Sequence, residues 1–237
     1  MENKFLNQLK ELNIELSDLQ LEQFYKYYEL LIEWNKVMNL TGITDVDEVY
    51  EKHFLDSLAV VKAIDLKKVN WMIDIGTGAG FPGIPLKIVF PHLKVVLLDS
   101  LKKRINFLDA VVNELGLINV TTIHGRAEDH AKDIKYREKF DLCVSRAVSN
   151  LSTLSEYCLP YVRLGGVFIS YKSGIIEGEV EESKKAIKIL GGRINDIIKL
   201  QLPETEINRS FVKIKKKEST GKKYPRKAGM PVKEPLK

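Results

Sequence analysis

Asp74-Ile-Gly-Thr-Gly-Ala-Gly-Phe-Pro-Gly83 closes the apolar run Trp71–Ile75 and opens a helix-length segment, Pro82–Phe90. Closely spaced glycines after an apolar run read as a strand entering a tight loop. Glycine reaches torsions barred to other residues and lets backbone pass close to a ligand. Two frames compete here. Gly78-Ala-Gly-Phe-Pro-Gly83 matches the G-x-G-x-x-G string of dinucleotide-binding folds. In that fingerprint the strand runs straight into the first glycine, whereas Gly76 and Thr77 intervene after Ile75. The second frame puts Asp74 at the strand end and Gly76, Gly78 and Gly80 in the loop.

Outward from this loop, strand and helix alternate. Strands are expected at Trp71–Ile75, Lys94–Leu98, Val120–His124, Asp141–Ser145, Val167–Lys172, Ile197–Leu202 and Ser210–Lys215. Helices are expected at Pro82–Phe90, Lys102–Leu115, Leu151–Tyr161 and Glu179–Leu190. Such alternation implies an α/β, Rossmann-like fold: a seven-stranded, mostly parallel sheet with helices on both faces. The short polar loop around Pro203–Asn208 makes the last two strands an antiparallel hairpin. Residues 1–66 read as a helical subdomain. Ser17 and Gln20 have the form of a capping box, and Leu21, Phe24, Tyr28, Leu31 and Trp34 recur on one face. Residues 67–215 form the α/β unit. Residues 216–237, rich in Lys, Gly and Pro and lacking periodicity, read as a basic tail unable to build a core of its own.

Composition narrows the class. At 44% hydrophobic and 29% charged, the chain is ordinary for a globular protein. No apolar run approaches the roughly 20 residues of a membrane span, and the N-terminus lacks a signal-peptide layout. A cytoplasmic, monomeric protein without membrane or metal is expected, with Cys143 and Cys158 reduced in the core. Residues 1–66 carry 6 Lys/Arg against 13 Asp/Glu, net −7. Residues 67–212 carry 21 against 17, net +4, and residues 213–237 carry 10 against 2, net +8. A phosphate-rich partner would meet that last stretch first; the alternative is that the tail docks on the acidic helices.

The strand ends carry the ligand chemistry. Lys94–Asp99 ends in an acid 23 residues after Gly76. A carboxylate there accepts hydrogen bonds from ribose hydroxyls in dinucleotide folds. His124-Gly-Arg-Ala-Glu128 places a backbone amide beside an acid at the next strand end, which suits an adenine ring. Asp74 can orient a cationic amino acid group. S-adenosylmethionine, with an ammonium and a sulfonium and no pyrophosphate, matches this set.

The chain resembles the bacterial small-subunit ribosomal RNA guanine-N7 methyltransferases, the glucose-inhibited division protein B family. The likeness rests on Trp34-Asn-x-x-x-Asn-Leu-Thr41, His53-Phe-Leu-Asp-Ser-Leu58, Asp74–Leu86, Ser145-Arg-Ala147 and Tyr224-Pro-Arg-Lys-Ala-Gly-x-Pro-x-Lys-x-Pro-Leu236. It implies a class I S-adenosylmethionine-dependent methyltransferase acting on a guanine N7 of 16S rRNA, as RNA or a 30S assembly particle. By that likeness cofactor contacts are expected at Gly76, Phe81, Ala127, Glu128 and Arg146, and the reading of the loop and strand ends adds Gly78 and Asp99. From the residues themselves, RNA contacts are expected at Lys172, at Arg226 and Lys227 of the tail, and at His53, for which contact with cofactor or packing between helices are the alternatives. The acceptor chemistry agrees. A cytosine carbon would need a cysteine nucleophile, and Cys143 falls mid-strand. An exocyclic amine usually uses an Asn/Asp-Pro-Pro-aromatic tetrad, replaced here by Ser145-Arg-Ala-Val148. Guanine N7 carries no proton, so it needs positioning more than a base, and no catalytic side chain is expected.

Overall fold

The computed structural model describes residues 2–146 and 148–236. Seven strands form one sheet in the order β3-β2-β1-β4-β5-β7-β6. They are β1 (Trp71–Ile75), β2 (Lys94–Asp99), β3 (Val120–His124), β4 (Phe140–Arg146), β5 (Val162–Lys172), β6 (Gly192–Gln201) and β7 (Asn208–Lys216). Strands β1 to β5 are mutually parallel, and β7 runs antiparallel to both β5 and β6. This is the sheet expected from the alternation, with the hairpin at its far edge. The order reverses between β1 and β4, and crevices outside the carboxyl ends of parallel strands open at such a switch point.

Side chains alternate across the strands, so each face has its own core. Met72, Leu97, Leu142 and Ile169 pack with Phe5, Phe24, Tyr27, Leu31 and Phe54 of the N-terminal helices. Ile73, Ile75, Leu98, Cys143 and Phe168 pack on the other face with Leu154, Tyr161 and Ile187. The N-terminal helices, α1 (Glu2–Glu11) and α2 (Asp18–Met38), therefore cover one face of the sheet and share its core.

Helix α2 begins with the expected capping box: Gln20 N donates to Ser17 Oγ and Ser17 N to Gln20 Oε1. Its buried stripe is Phe24, Tyr27, Leu30 and Leu31, rotated from the expected face so that Tyr27 replaces Tyr28. The reason is chemical. The Tyr27 hydroxyl, fully buried, donates to the Ala79 carbonyl inside the glycine loop. Asp45 then caps α3 (Val46–Val49), which runs into one π-helical turn, Tyr50–Leu55, and α4 (Asp56–Leu58). In that turn Asp56 N donates five residues back, to the Glu51 carbonyl. Such π-turns often mark functional segments.

The remaining α-helices among the described residues are α5 (Gly83–Val89), α6 (Lys102–Glu114), α7 (Ala127–His130), α8 (Leu151–Cys158), α9 (Glu177–Ile189) and α10 (Met230–Lys233). The last lies in the basic C-terminal segment, which is ordered by partners elsewhere in the chain. Arg137 donates to the carbonyls of Thr220, Gly221 and Tyr224, and Glu138 accepts from Thr220 N. Tyr224 is buried among the residues of the second core. Ser152 and Thr153 on α8 donate to the carbonyls of Leu236 and Pro231. Absence of apolar periodicity was a poor guide here, because backbone carbonyls and ion pairs carry the docking. Among the described residues its hydrogen-bond partners include Arg137, Glu138, Glu128 and α8, and none lies on the acidic N-terminal helices.

Tyr27 links the helical layer to the loop, which yields a test. Tyr27→Phe should lower the unfolding free energy by about 1 kcal/mol, the net worth of one buried hydrogen bond. Urea unfolding measures it, and an unchanged midpoint would remove Tyr27 as the anchor between α2 and the loop.

Candidate cofactor site and acceptor corner

The glycine loop is built from Asp74 upward. Its carboxylate is fully buried on the Met72 side of β1. Oδ2 accepts from Thr77 Oγ1 at 2.7 Å and from Gly83 N at 2.9 Å, tying the start of the loop to its end. Oδ1 is buried without a partner. Burial pushes the Asp74 carboxyl up to about 7, against the pull of those two hydrogen bonds and of Arg146. Gly76 and Gly80 adopt φ of +70° and +98°. A Cβ on Gly76 would lie 2.6 Å from Val148 Cγ2, and one on Gly80 would lie 2.6 Å from the Tyr27 hydroxyl. Gly78 N donates to Asp99 Oδ2 at 2.9 Å.

Beside the loop, a cleft of about 250 Å³ opens over the ends of β1, β2 and β3. Gly76, Asp99, Ala127, Glu128, Val148 and Tyr157 are among its lining residues. Asp99 ends β2, where it also accepts from Leu101 N at 2.9 Å and Arg104 Nη1 at 3.2 Å. Glu128 is on α7, with Oε1 accepting from Gly229 N at 2.9 Å. Both acids are almost wholly buried. Of the residues expected to contact cofactor, Gly76, Gly78, Asp99, Ala127 and Glu128 thus gather at or beside this cleft. Phe81 and Arg146 form the adjoining corner.

That corner is an electrostatic assembly. Arg146, at the end of β4, lies over the Phe81 ring at 5.1 Å and donates to Asp56 Oδ2 at 2.8 Å and the Lys52 carbonyl at 3.2 Å. Asp56, 2% exposed, receives a second arginine, with Arg209 Nε at 2.7 Å from Oδ1. His53 stacks on the same Phe81 ring, its centroid 4.5 Å away, with its Nδ1 3.4 Å from Arg146 Nη2 and its Nε2 2.8 Å from Thr41 Oγ1. Burial, with Arg146 adding to it, lowers the His53 imidazole to about 4, so it is neutral at physiological pH. Ser145 is buried and donates to the Ile75 carbonyl. Cys143 is buried as well, with its thiol pushed far up by desolvation.

The residues expected to meet RNA fall into different surroundings. Lys172 donates to the Ser149 carbonyl and pairs with Glu179 at 2.7 Å. Arg226 pairs with Glu156, which is 1% exposed, at 2.8 Å. Lys227 is exposed. Sequence reasoning passed over Tyr27, Arg104, Glu156 and Tyr157. Glu156 and Tyr157 lie in an otherwise ordinary helical stretch and carried no local signal. Asp56 was visible within His53–Leu58, but its pairing with Arg209, 153 residues away, had none.

The sequence pattern of the family described as rRNA small subunit methyltransferase G matches residues 20–208. The chain is 52% identical to the ribosomal RNA small subunit methyltransferase G of Lachnoclostridium phytofermentans, across 98% of this chain and 96% of that one. It is 50% identical to the protein of that name from Exiguobacterium sibiricum, across 99% of each. This chain belongs to the rRNA small subunit methyltransferase G family. Like other members of that family it is an S-adenosylmethionine-dependent methyltransferase. Its fold is shared with far more distant proteins, among them StiE O-MT, at TM-score 0.54 and 17% identity over 69% of this chain and 73% of that one. M. jannaschii TYW2, solved in complex with AdoMet, matches at TM-score 0.50 and 15% identity over 62% and 68%.

The residues of this methyltransferase suit its cofactor. The nearly buried carboxylates of Asp99 and Glu128 give the cleft wall acceptor groups, as ribose hydroxyls and an amino-substituted ring require, and the orphaned Asp74 Oδ1 lies in the adjoining loop. Among the described residues, no helix is long and apolar enough to cross a membrane.

Asp74 makes a pH test possible. Its folded-state value, about 7, exceeds its ordinary 3.8, so the folded protein binds this proton more tightly. The corresponding stability is complete below the ordinary value and is lost as pH rises to 7 and beyond. Asp74→Asn cannot ionise and should remove that decline. Unfolding of the cofactor-free protein across pH 4 to 8 should show the wild type losing stability relative to Asp74→Asn; parallel profiles would contradict the raised value.

Proposed function

We propose that this enzyme transfers a methyl group from S-adenosylmethionine to the N7 of a guanine in 16S ribosomal RNA, presented as RNA or within a 30S assembly particle. The observation that carries the reading is the acceptor corner. It holds an aromatic ring, a fixed guanidinium and an imidazole whose Nε2 is engaged by Thr41 Oγ1 and whose basicity is lowered to about 4 by burial, so that no strong, unengaged base stands among its described residues. The Asp56 carboxylate is occupied by two arginines, and the Ser145 hydroxyl by a backbone carbonyl. Such a corner can orient and desolvate an acceptor but is poorly equipped to remove a proton. Guanine N7 has a lone pair and no proton, so positioning suffices.

In this reading Gly76, Gly78, Phe81, Asp99, Ala127, Glu128 and Arg146 hold the cofactor, which when bound supplies an electrophilic methyl group on its sulfonium. Gly76 lets the ligand approach the loop backbone where any side chain would strike Val148. Asp99 already accepts three hydrogen bonds, and a carboxylate offers about four acceptor positions. To accept from two ribose hydroxyls it must release one partner, and the half-buried Arg104, with the longest of the three bonds, is the one free to move. Arg146 is pinned by Asp56 so that its planar guanidinium presents a face to the base. Exposed Lys222, Lys223, Lys227 and Lys233 in the C-terminal segment meet phosphate.

Two measurements test this. Nucleoside mass spectrometry of 16S RNA or 30S particles, treated with enzyme and labelled cofactor, should find the label in 7-methylguanosine. Label in an exocyclic or ribose methyl would overturn the assignment. Arg146→Ala, with Asp56 still paired to Arg209, should stay folded and lose at least about tenfold in methyl transfer, in keeping with the loss from a misplaced reacting group. Near-normal turnover would return Arg146 to a structural role.

A further inference from the structure

Among the described residues, the C-terminal segment reaches the cofactor cleft through one hydrogen bond, Gly229 N to Glu128 Oε1. Glu128 stands on a helix of only four residues, so little in its own element fixes its side chain. Gly229, in contrast, is held on both sides. Upstream, Arg226 binds Glu156 by four contacts: its backbone N and its Nε reach Oε1 at 2.8 and 3.0 Å, and its Nε and Nη2 reach Oε2 at 3.2 and 2.8 Å. Arg226 Nη2 also donates to the Glu234 carbonyl, closing the loop that contains Gly229. Downstream, Thr153 on α8 holds the Pro231 carbonyl. Gly229 adopts φ +83°, and a Cβ there would meet nothing within 4 Å. Glycine is suited to this site by its torsion, not by crowding.

Helix α8 thus serves two surfaces. Tyr157 lines the cleft, while its neighbour Glu156 faces the arm and anchors Arg226. A bidentate guanidinium–carboxylate pair fixes geometry as well as energy, and groups that orient a ligand-contacting side chain often matter nearly as much as the contact itself. We infer that Arg226 is a positioning residue: through Glu156 it seats Gly229 so that its N–H holds the Glu128 carboxylate in the wall of the cofactor cleft. The inference rests on the reading of Glu128 as a cofactor contact. It gives the basic arm a role in cofactor binding, apart from any contact its lysines make with RNA.

A double-mutant cycle read by calorimetric titration of the full-length protein with S-adenosylmethionine separates the possibilities. Glu128→Ala should weaken binding by about tenfold, the equivalent of one charge-assisted hydrogen bond. Arg226→Ala should weaken it several-fold, and Arg226→Lys less. The decisive arm is the double variant, in which Arg226→Ala should add nothing to Glu128→Ala, because the group it positions is gone. In turnover, Arg226→Ala should raise KM for the cofactor while kcat at saturation stays within about twofold, as removal of binding common to ground and transition states predicts. Circular dichroism and thermal unfolding establish that the variants fold. Should Arg226→Ala fail to fold, Arg226→Lys and Glu156→Gln take its place in the cycle. Unchanged affinity in folded Arg226→Ala, or losses that multiply in the double variant, would overturn the inference. Unchanged affinity in Glu128→Ala alone would overturn the cofactor reading of Glu128 and the inference with it.

Discussion

One carboxylate oxygen organises the ligand-binding edge. Asp74 Oδ2 receives the Thr77 hydroxyl and the Gly83 amide, so the chain leaving β1 must double back before α5 begins. With the loop closed, Gly78 N meets Asp99 at the end of β2, and Ala79 O meets the Tyr27 hydroxyl from the helical layer. Each secondary contact presupposes the first. The loop is crowded enough that Gly83 could not carry a side chain, since a Cβ would lie 2.9 Å from Asp74 Oδ2 and 2.4 Å from Leu97 Cδ2. Burying a carboxylate to this extent is costly unless it is protonated or matched by charge, and the raised value of Asp74 expresses that cost.

At the neighbouring corner the balance of charge is different. Asp56 is as buried as Asp99, yet it is shared by Arg146 and Arg209, one from β4 and one from β7. The pairs compensate the desolvation, and geometry then decides what the arginines can do. Arg146 is drawn against Phe81, and its charge helps keep His53 neutral. A neutral imidazole stacked on a phenyl ring offers a flat apolar wall beside a fixed cation. The π-helical turn before Asp56 brings the carboxylate and His53 to that wall from a single short stretch of chain.

The fold was legible because its signals are local. The order of strands and helices followed alternation and glycine punctuation, although β5 and β6 begin five residues before the expected Val167 and Ile197, and the Ser17 capping box was readable from two residues. The cofactor edge was legible for the same reason, since in a parallel sheet the acids that end successive strands are neighbours by construction. What could not be read were interactions between distant segments. Nothing near Tyr27 announces that its hydroxyl reaches the glycine loop, and helical periodicity alone favoured Tyr28. Arg209 and Asp56 meet only because β7 is inserted between β5 and β6, and Glu156 acquires a partner 70 residues on. Hydrophobic pattern records which side of an element is buried. It is silent on which polar group waits there.

The C-terminal segment makes the same point about charge. Ten basic residues against two acidic ones read as one feature in the sequence, but folding divides them. Lys216 is 1% exposed, pairs with Glu138 and donates to the Leu159 carbonyl, and its ammonium is pushed down to about 8 by burial. Lys213 donates to the Ala63 carbonyl and Arg226 is taken up by Glu156. These cations are internal fasteners, and each has a specific acceptor. Lys217, Lys222, Lys223, Lys227 and Lys233 remain exposed. A net charge of +8 therefore overstates what the segment can offer a polyanion and understates what it does for the protein itself. The fastened cations fix where the arm lies, and the exposed ones acquire a defined position from them. Electrostatic attraction to phosphate acts over several ångströms and needs no such order, whereas holding one carboxylate beside a cleft does.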